Sequence, residues 1–438
     1  MRPKCRPCIT RPVTGLLTAA VLVATGGCST ASSPTPRSEP PGRAVQAAPR
    51  WTAAWGTSMQ RAVPDAPDEE PNWSEEGFDD QTVRQVVRVS TGGSALRFRL
   101  SNAYGSKPLK IAGAVVARSD GGAKTKPGST RPLTFGGSRA TTIPAGRDAV
   151  SEPVPLTVVN LEKLAVSLRF AGPTGPATFH RFTTATSYRA DGDQLAAVGS
   201  GAYTASVRSW YYLSAVDVQV RSARSRDAVL VFGDSMIDGV GAGPGAEGRF
   251  SDKLAERLAG AGRPSGVVNA GIAGGRLLTD SPCSGERAAV RFERELEQRP
   301  GVRTALVHLG ANDLAVAMPG DPCAADGPRP TLRQLTDGHR SLVKLAHSRG
   351  VRAVGMTVVP VRGAVFPFTD SAGDRLRRQL NDWIRDSGVY DAVLDADRVL
   401  EDPARPGRPS PSYVSEDGLH PNDTGYFAVA SAVGLGLL

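Results

Sequence analysis

The chain has 438 residues, 40% of them hydrophobic and 22% charged, a globular balance that excludes a mostly disordered or fibrous protein and suggests two or three domains. Its formal charge of +9 sits at the start: residues 1–50 hold seven Arg or Lys and one Glu, which leaves +3 for the rest. That is no footprint for a polyanion, so nucleic acid is not an expected partner, and no apolar run after residue 30 approaches the roughly 20 residues needed to span a bilayer.

Arg2, Lys4, Arg6 and Arg11 precede an apolar stretch from Val13 to Ala24, the layout of an export signal and too short for a mature spanning helix. Gly26-Gly27-Cys28 follows. A Cys after small residues resembles the end of a bacterial lipoprotein signal, which implies lipidation of Cys28, although Thr25 stands where such signals usually carry an aliphatic residue. Plain cleavage near Gly26 is the alternative. Residues 1–28 are expected to be the signal peptide and 29–50, rich in Ser, Thr, Pro and Ala, a flexible tether. The protein is then extracellular or held at the cell surface, touching membrane only through the lipid.

From 51 to 224 the pattern predicts an all-β accessory domain. Leu96, Phe98 and Leu100 alternate with Arg97 and Arg99, and Leu164, Val166, Leu168 and Phe170 alternate with Lys163, Ser167 and Arg169. Turn clusters such as Gly92-Gly93, Asn102 to Gly105 and Gly136-Gly137 separate these runs, which reads as a β-sandwich or jelly roll. Trp51, Trp55, Trp73 and Trp210 lie here; core packing is expected for them, with a sugar-stacking platform as the alternative.

From 225 to 438 the rhythm becomes strand, loop, helix. Apolar runs at 228–232, 266–269, 304–309, 351–359 and 389–395 read as five buried parallel strands. Phe250, Leu254 and Leu258 form one helical stripe, and Leu332, Leu335, His339, Leu342 and Leu345 another. Leu376, Leu380 and Ile384 form a third, and a last helix follows Pro421. The prediction is a doubly wound α/β sheet with its ligand crevice at the carboxyl ends of the strands.

The suggestive residues fall at those ends: Gly233-Asp234-Ser235, Asn269-Ala270-Gly271, Gly310-Ala311-Asn312-Asp313, and Asp417-Gly418-Leu419-His420-Pro421 before the last helix. In order and spacing these blocks resemble those of the SGNH, or GDSL, hydrolases, with Met236 in place of the Leu of that name. Trp51 to Trp55, Thr82 to Ser90 and Ser101 to Gly105 also resemble the β-rich front domain of secreted actinobacterial-type members. The resemblance implies an SGNH-type fold and a carboxylic ester hydrolase. It also implies an oxyanion hole made by the backbone N–H groups of Ser235 and Gly271 and the side-chain amide of Asn312.

The residues support the same chemistry on their own. A serine hydroxyl needs a base, and His suits neutral pH. Three positions separate Asp417 from His420, so the carboxylate can fold back onto the imidazole and fix its tautomer, which makes Ser235, His420 and Asp417 a triad. Each block alone has a bland reading: Gly-Asp-Ser as a turn, Asn312 or Asp313 as a helix cap, and DGLHP as a loop into a helix capped by Asn422 or Asp423.

Other motifs fail. There is no G-x-S-x-G and no H-E-x-x-H, and Gly243, Gly245 and Gly248 stand too far beyond their strand for a dinucleotide turn, reading instead as a mobile active-site loop. His339 and His308 are expected to be buried and structural, His180 and His347 carry no signal, and Glu75-Glu76 and Asp79-Asp80 look like solvated charge. Cys283 and Cys323 are expected to form a disulfide in an oxidising compartment, with two buried thiols as the alternative.

No metal or cofactor is expected. The substrate is an ester, with short acyl groups, including those on carbohydrates, as the first choice. A lipase or phospholipase and an envelope-glycan transacylase would share the triad, and a glycan-binding surface lipoprotein with an inactive hydrolase domain belongs to another class.

Overall fold

The computed structural model describes residues 50–438 except 66–70, 221–226, 317–322, 324–326 and 367. The signal region, Cys28 and the tether up to residue 49 lie outside the described residues.

The first half is built from short antiparallel strands. They are β1 (Arg50–Gly56), β2 (Gln81–Arg88), β3 (Leu96–Asn102), β4 (Leu109–Ile111), β5 (Gly113–Arg118), β6 (Arg131–Pro132), β7 (Thr141–Ile143), β8 (Arg147–Val150), β9 (Lys163–Phe170), β10 (Phe179–His180), β11 (Ser187–Asp191), β12 (Ala205–Val207), β13 (Trp210–Tyr211) and β14 (Leu213–Val220). One sheet runs β1-β14-β3-β8 and another β12-β11-β2-β9-β5-β6. Leu96, Phe98, Leu100, Val216 and Val218 of the first share a core with Val83, Val87, Val166 and Leu168 of the second, as period-two alternation requires of two packed sheets. Trp55 and Trp210 meet edge to face at 4.9 Å, and Trp73 stacks on Tyr211 at 5.8 Å. These three tryptophans are buried and hold the sandwich together.

The second half is an all-parallel sheet of β15 (Ala228–Gly233), β16 (Gly266–Gly271), β17 (Val302–His308), β18 (Arg352–Met356) and β19 (Ala392–Leu394), in the order β16-β15-β17-β18-β19. This is the expected α/β fold. Its helices are α1 (Ser235–Asp238), α2 (Phe250–Gly260), α3 (Ala288–Gln298), α4 (Leu332–Ser348), α5 (Ser371–Asp386), α6 (Ala396–Leu400) and α7 (Asp423–Ala432). Leu230 and Phe232 of β15 pack with Phe292, Leu335 and Leu380 of α3, α4 and α5. The intervening Val229 and Val231 pack on the other face with Leu254 of α2 and Val429 of α7. The chain leaves β15 on one side for β16 and returns to its other side for β17, so the carboxyl ends of β15 and β17 bracket the topological switch point where such sheets bind ligands. Among the described residues no helix is long and apolar enough to cross a membrane.

The halves are joined through β1. Ala53 packs in the core of the parallel sheet, and the next residue, Ala54, in the core of the sandwich. Ala53 N–H donates to Pro300 O at 2.9 Å. Val267 N–H donates to Ser90 Oγ at 2.8 Å, and that hydroxyl donates to Ala54 O at 2.6 Å. Beyond β1, Ser58 Oγ donates to Glu295 Oε1 of α3 at 2.7 Å. The described residues fall in one compact unit.

Candidate active site

β15 ends at Gly233, and Asp234 caps the short helix that follows by accepting from Met236 N–H at 3.2 Å. The first residue of α1 is Ser235, lifted above the sheet at the switch point. The same Asp234 oxygen lies 2.9 Å from Nδ1 of His308 at the end of β17, with both side chains buried. The expected buried role of His308 therefore has a specific partner, one that locks the two strand ends bracketing Ser235.

His420 sits on the loop before α7, whose cap is Asn422 accepting from Gly425 N–H. Ser235 Oγ lies 2.8 Å from His420 Nε2, and His420 Nδ1 lies 2.6 Å from Asp417 Oδ2. The other carboxylate oxygen, Oδ1, accepts from Ser415 Oγ at 2.8 Å, Leu419 N–H at 2.8 Å and His420 N–H at 2.9 Å. One oxygen organises the loop and the other faces the imidazole. Burial alone would push the Asp417 carboxyl up, but the bonds from His420 and the two backbone N–H groups prevail and hold it far below the usual carboxylate range. The carboxylate therefore stays charged, and the Nδ1–H tautomer it selects leaves Nε2 as the acceptor for the Ser235 hydroxyl.

The three expected oxyanion donors are not placed alike. Among the described residues, Ser235 N–H meets no acceptor. Asn312 uses one N–H on Gly275 O at 3.0 Å, which leaves its second N–H for another partner. Gly271 departs from the expectation, because its N–H donates to Asn269 Oδ1 at 2.9 Å. A Cβ at residue 271 would lie 2.1 Å from Asp238 N, so this glycine serves the close packing of α1 on β16 and not the approach of a substrate.

The free donor lies three residues on. Ile272 N–H bonds Gly233 O at 3.2 Å, and Gly275 N–H bonds Ile272 O at 2.9 Å. The turn so closed sits beside Ser235 and carries Gly274 at φ +77°, where, among the described residues, its N–H meets no acceptor. The pair Gly274-Gly275 after the strand was the available signal.

Asn312 does not cap a helix. The segment after β17 forms a turn, Leu314 N–H to Ala311 O at 3.0 Å, and α4 starts at Leu332 under a Thr331 cap. Asp313 accepts from the N–H groups of Leu277 and Leu278 at 2.8 and 2.9 Å, tying this turn to the one after β16, while burial pushes its carboxyl up. Cys283 and Cys323 form the expected disulfide, with Cα atoms 5.4 Å apart, and Gln60 of the sandwich donates to Cys283 O at 3.2 Å.

The glycine-rich loop is fastened on two sides. Gly243 N–H donates to Asp423 Oδ1 of α7 at 2.8 Å, and Gly245 N–H to Thr184 O of the sandwich at 2.7 Å. The expectation of a mobile loop meets these anchors. His339 is buried against Tyr390, with Nδ1 2.6 Å from its hydroxyl, and burial, reinforced by His308, pushes the imidazole down to about 4. His347 is exposed beside Asp391. Glu75-Glu76 and Asp79-Asp80 are exposed. His180, which had no sequence signal, lies 2.9 Å from Asp238 of α1.

Residues 231–428 match the model of the GDSL-like lipase/acylhydrolase family. No curated protein matches the chain. Among solved structures it is similar to a putative arylesterase from Agrobacterium tumefaciens str. C58, at 20% identity and a TM-score of 0.37 over 47% of this chain and 95% of that one. It is also similar to a carbohydrate acetylesterase family member from Sinorhizobium meliloti, at 18% and 0.37 over 47% and 94%. An inhibitor-bound aryl esterase of M. smegmatis gives 17% and 0.37 over 47% and 95%.

Proposed function

The α/β half of this chain is a GDSL-like lipase/acylhydrolase domain and the protein a carboxylic ester hydrolase; from that premise we propose that it cleaves short acyl esters by double displacement at Ser235. The observation that carries the reading is the continuous chain from Ser235 Oγ through His420 to Asp417, at 2.8 and 2.6 Å. Ser235 Oγ attacks the ester carbon while its proton passes to His420 Nε2. The carbonyl oxygen becomes an oxyanion facing the N–H groups of Ser235 and Gly274 and the second N–H of Asn312, donors already in place before charge develops. His420 then protonates the leaving alcohol, an acyl-Ser235 ester remains, and water activated by His420 releases the acid.

Carbohydrate esters suit the surroundings. A cavity of about 330 Å³ lies between sandwich residues and the loop after α1, lined by Pro71, Asn72, Arg181, Phe182, Thr183, Thr184, Arg208 and Ser209 with Asp238 to Ala242. Its Asn72, Thr183, Thr184 and Ser209 offer hydrogen-bond partners to a polyhydroxylated alcohol, beside two arginines and the apolar Pro71, Phe182, Val240 and Ala242. Export by the signal in residues 1–28, with Cys28 lipidated, would place the enzyme among such compounds and belongs to the same proposal.

A lipase reading is favoured by one observation. Val365, 75% exposed, and Phe366, 40% exposed, form an apolar lip whose Val365 N–H donates to Asp417 O at 2.9 Å. A panel of p-nitrophenyl esters from acetate to palmitate, run beside acetylated polysaccharides, separates the two. The proposal expects preference for acetate and release of acetate from polysaccharide; activity rising with chain length and none on polysaccharide would replace it with the lipase.

A further inference from the structure

We propose that His180, a residue of the β-sandwich, is a positioning residue for ester hydrolysis, acting as an imidazolium that holds Asp238 and through it both the nucleophile helix and the oxyanion turn. The inference rests on the reading of Ser235 as nucleophile, and it gives the accessory domain a part in the chemistry.

His180 is 1% exposed. Its Nδ1 lies 2.8 Å from Ser58 O, and its Nε2 lies 2.9 Å from Asp238 Oδ1 and 2.9 Å from Phe182 O. A neutral imidazole has one N–H and one lone pair. Here both nitrogens face oxygens that only accept, so the surroundings are satisfied when the ring carries both protons. Burial works against that charge, but Asp238 and the Ser58 carbonyl outweigh it, and the pKa is raised.

Asp238 is the last residue of α1, the four-residue helix that begins with Ser235. It is 3% exposed. Its second oxygen, Oδ2, accepts from Ala273 N–H at 2.8 Å, and Ala273 directly precedes Gly274. One buried carboxylate thus fixes the end of the helix that carries the nucleophile and the turn that carries an oxyanion donor. On the α7 side Tyr426 is buried with its hydroxyl donating to Val240 O at 2.7 Å, and burial first, then the charge of Asp238, raises its pKa. On the α2 side Arg249 pairs with Asp252 at 2.8 Å and lies over Trp210 at 5.5 Å, while Trp210 stacks on His180 at 5.7 Å. On the α3 side Glu295 takes the Ser58 hydroxyl and pairs with Arg299 at 2.7 Å. The imidazolium is therefore the direct partner of Asp238, and removing it leaves a buried carboxylate unpaired. The carboxylate must then take up a proton or turn away, and either change loosens Ala273 and the site around Ser235. Displacements on the order of 1 Å at such a site cost up to about 100-fold in rate.

The test uses His180→Gln in the sandwich, Asp238→Asn in the hydrolase domain and the double variant, with kcat and KM measured below each Tm and with fluorophosphonate labelling of Ser235. Each single variant is expected to lower kcat about 10- to 100-fold with KM within about twofold, to slow labelling in parallel, and to be no worse when combined, because both break one link. Wild-type kcat in a folded single variant, or losses that multiply in the double variant, would overturn the proposal. If the wild type gives no adduct at Ser235, the nucleophile reading itself falls; if it labels normally while the variants are unaffected, only the role of His180 does.

Discussion

Replacing Asp417 by Asn separates the two jobs that its carboxylate performs. Oδ1 accepts from Ser415 Oγ and from two backbone N–H groups, whereas among the described residues Oδ2 faces only His420 Nδ1, at 2.6 Å. Three donors around one oxygen dictate which way an amide must lie: its carbonyl takes the Oδ1 position and its NH₂ points at the imidazole. Nδ1 must then accept, so the proton moves to Nε2, where it opposes the Ser235 hydroxyl instead of receiving its proton. A tautomer error of this kind costs about 10⁴ in kcat, or about 5 kcal/mol of barrier, while the loop keeps its acceptor and Tm changes little. Asp417→Ala loses the acceptor as well and costs about 1–3 kcal/mol of stability for the donors left unpaired. Steady-state kinetics on p-nitrophenyl acetate and thermal unfolding of the two variants check both parts. An Asp417→Asn enzyme within tenfold of wild-type kcat would refute the tautomer argument, and equal Tm losses in the two variants would refute the division between the oxygens.

Three further outcomes are expected. Asn312→Ala should lower kcat by about 10²–10³ with little change in KM, and Tm should move only slightly because no helix depends on this side chain; unchanged kinetics would remove it from the site. Gly271→Ala should cost about 1–3 kcal/mol of stability and lower kcat as well, since the new Cβ meets the backbone of Ile237 and Asp238; a neutral Tm would show that the packing argument is wrong. The raised pKa of His180 stabilises the fold fully below the unfolded value of about 6.5 and less as pH rises through the folded value, so the Tm advantage of wild type over His180→Gln should shrink on alkaline titration, and a gap that stays constant or widens would contradict the imidazolium.

Much of this arrangement is legible in the chain because it is local. Strands such as Ala228 to Phe232 announce themselves by composition, and Ser235 follows its strand directly. Asp417 and His420 are three residues apart, so their pairing needs only one turn. What escapes sequence reading is set by distant partners. Whether the N–H of Gly271 or that of Gly274 is free depends on the side chain of Asn269 and on the course of the turn after β16. Residues 243–248 look like a free glycine loop until Asp423 and Thr184 are seen to hold them. Asn312 looks like a helix cap until residues 311–314 are found to form a turn and the next described helix to begin at Leu332. His180 meets Asp238 across 58 positions, with no local pattern to mark it. The pairing of Cys283 with Cys323 was accessible because they are the two cysteines beyond residue 28, and each follows a strand of the same sheet.

The central claim is that Ser235 is the nucleophile, and covalent labelling tests it most directly. Incubation with a fluorophosphonate, followed by peptide mass spectrometry and an esterase assay on the same sample, should show one adduct per chain on Ser235 and activity lost in proportion, with neither labelling nor turnover in Ser235→Ala. Turnover that persists in Ser235→Ala, or inactivation with the adduct on another residue, would contradict the account.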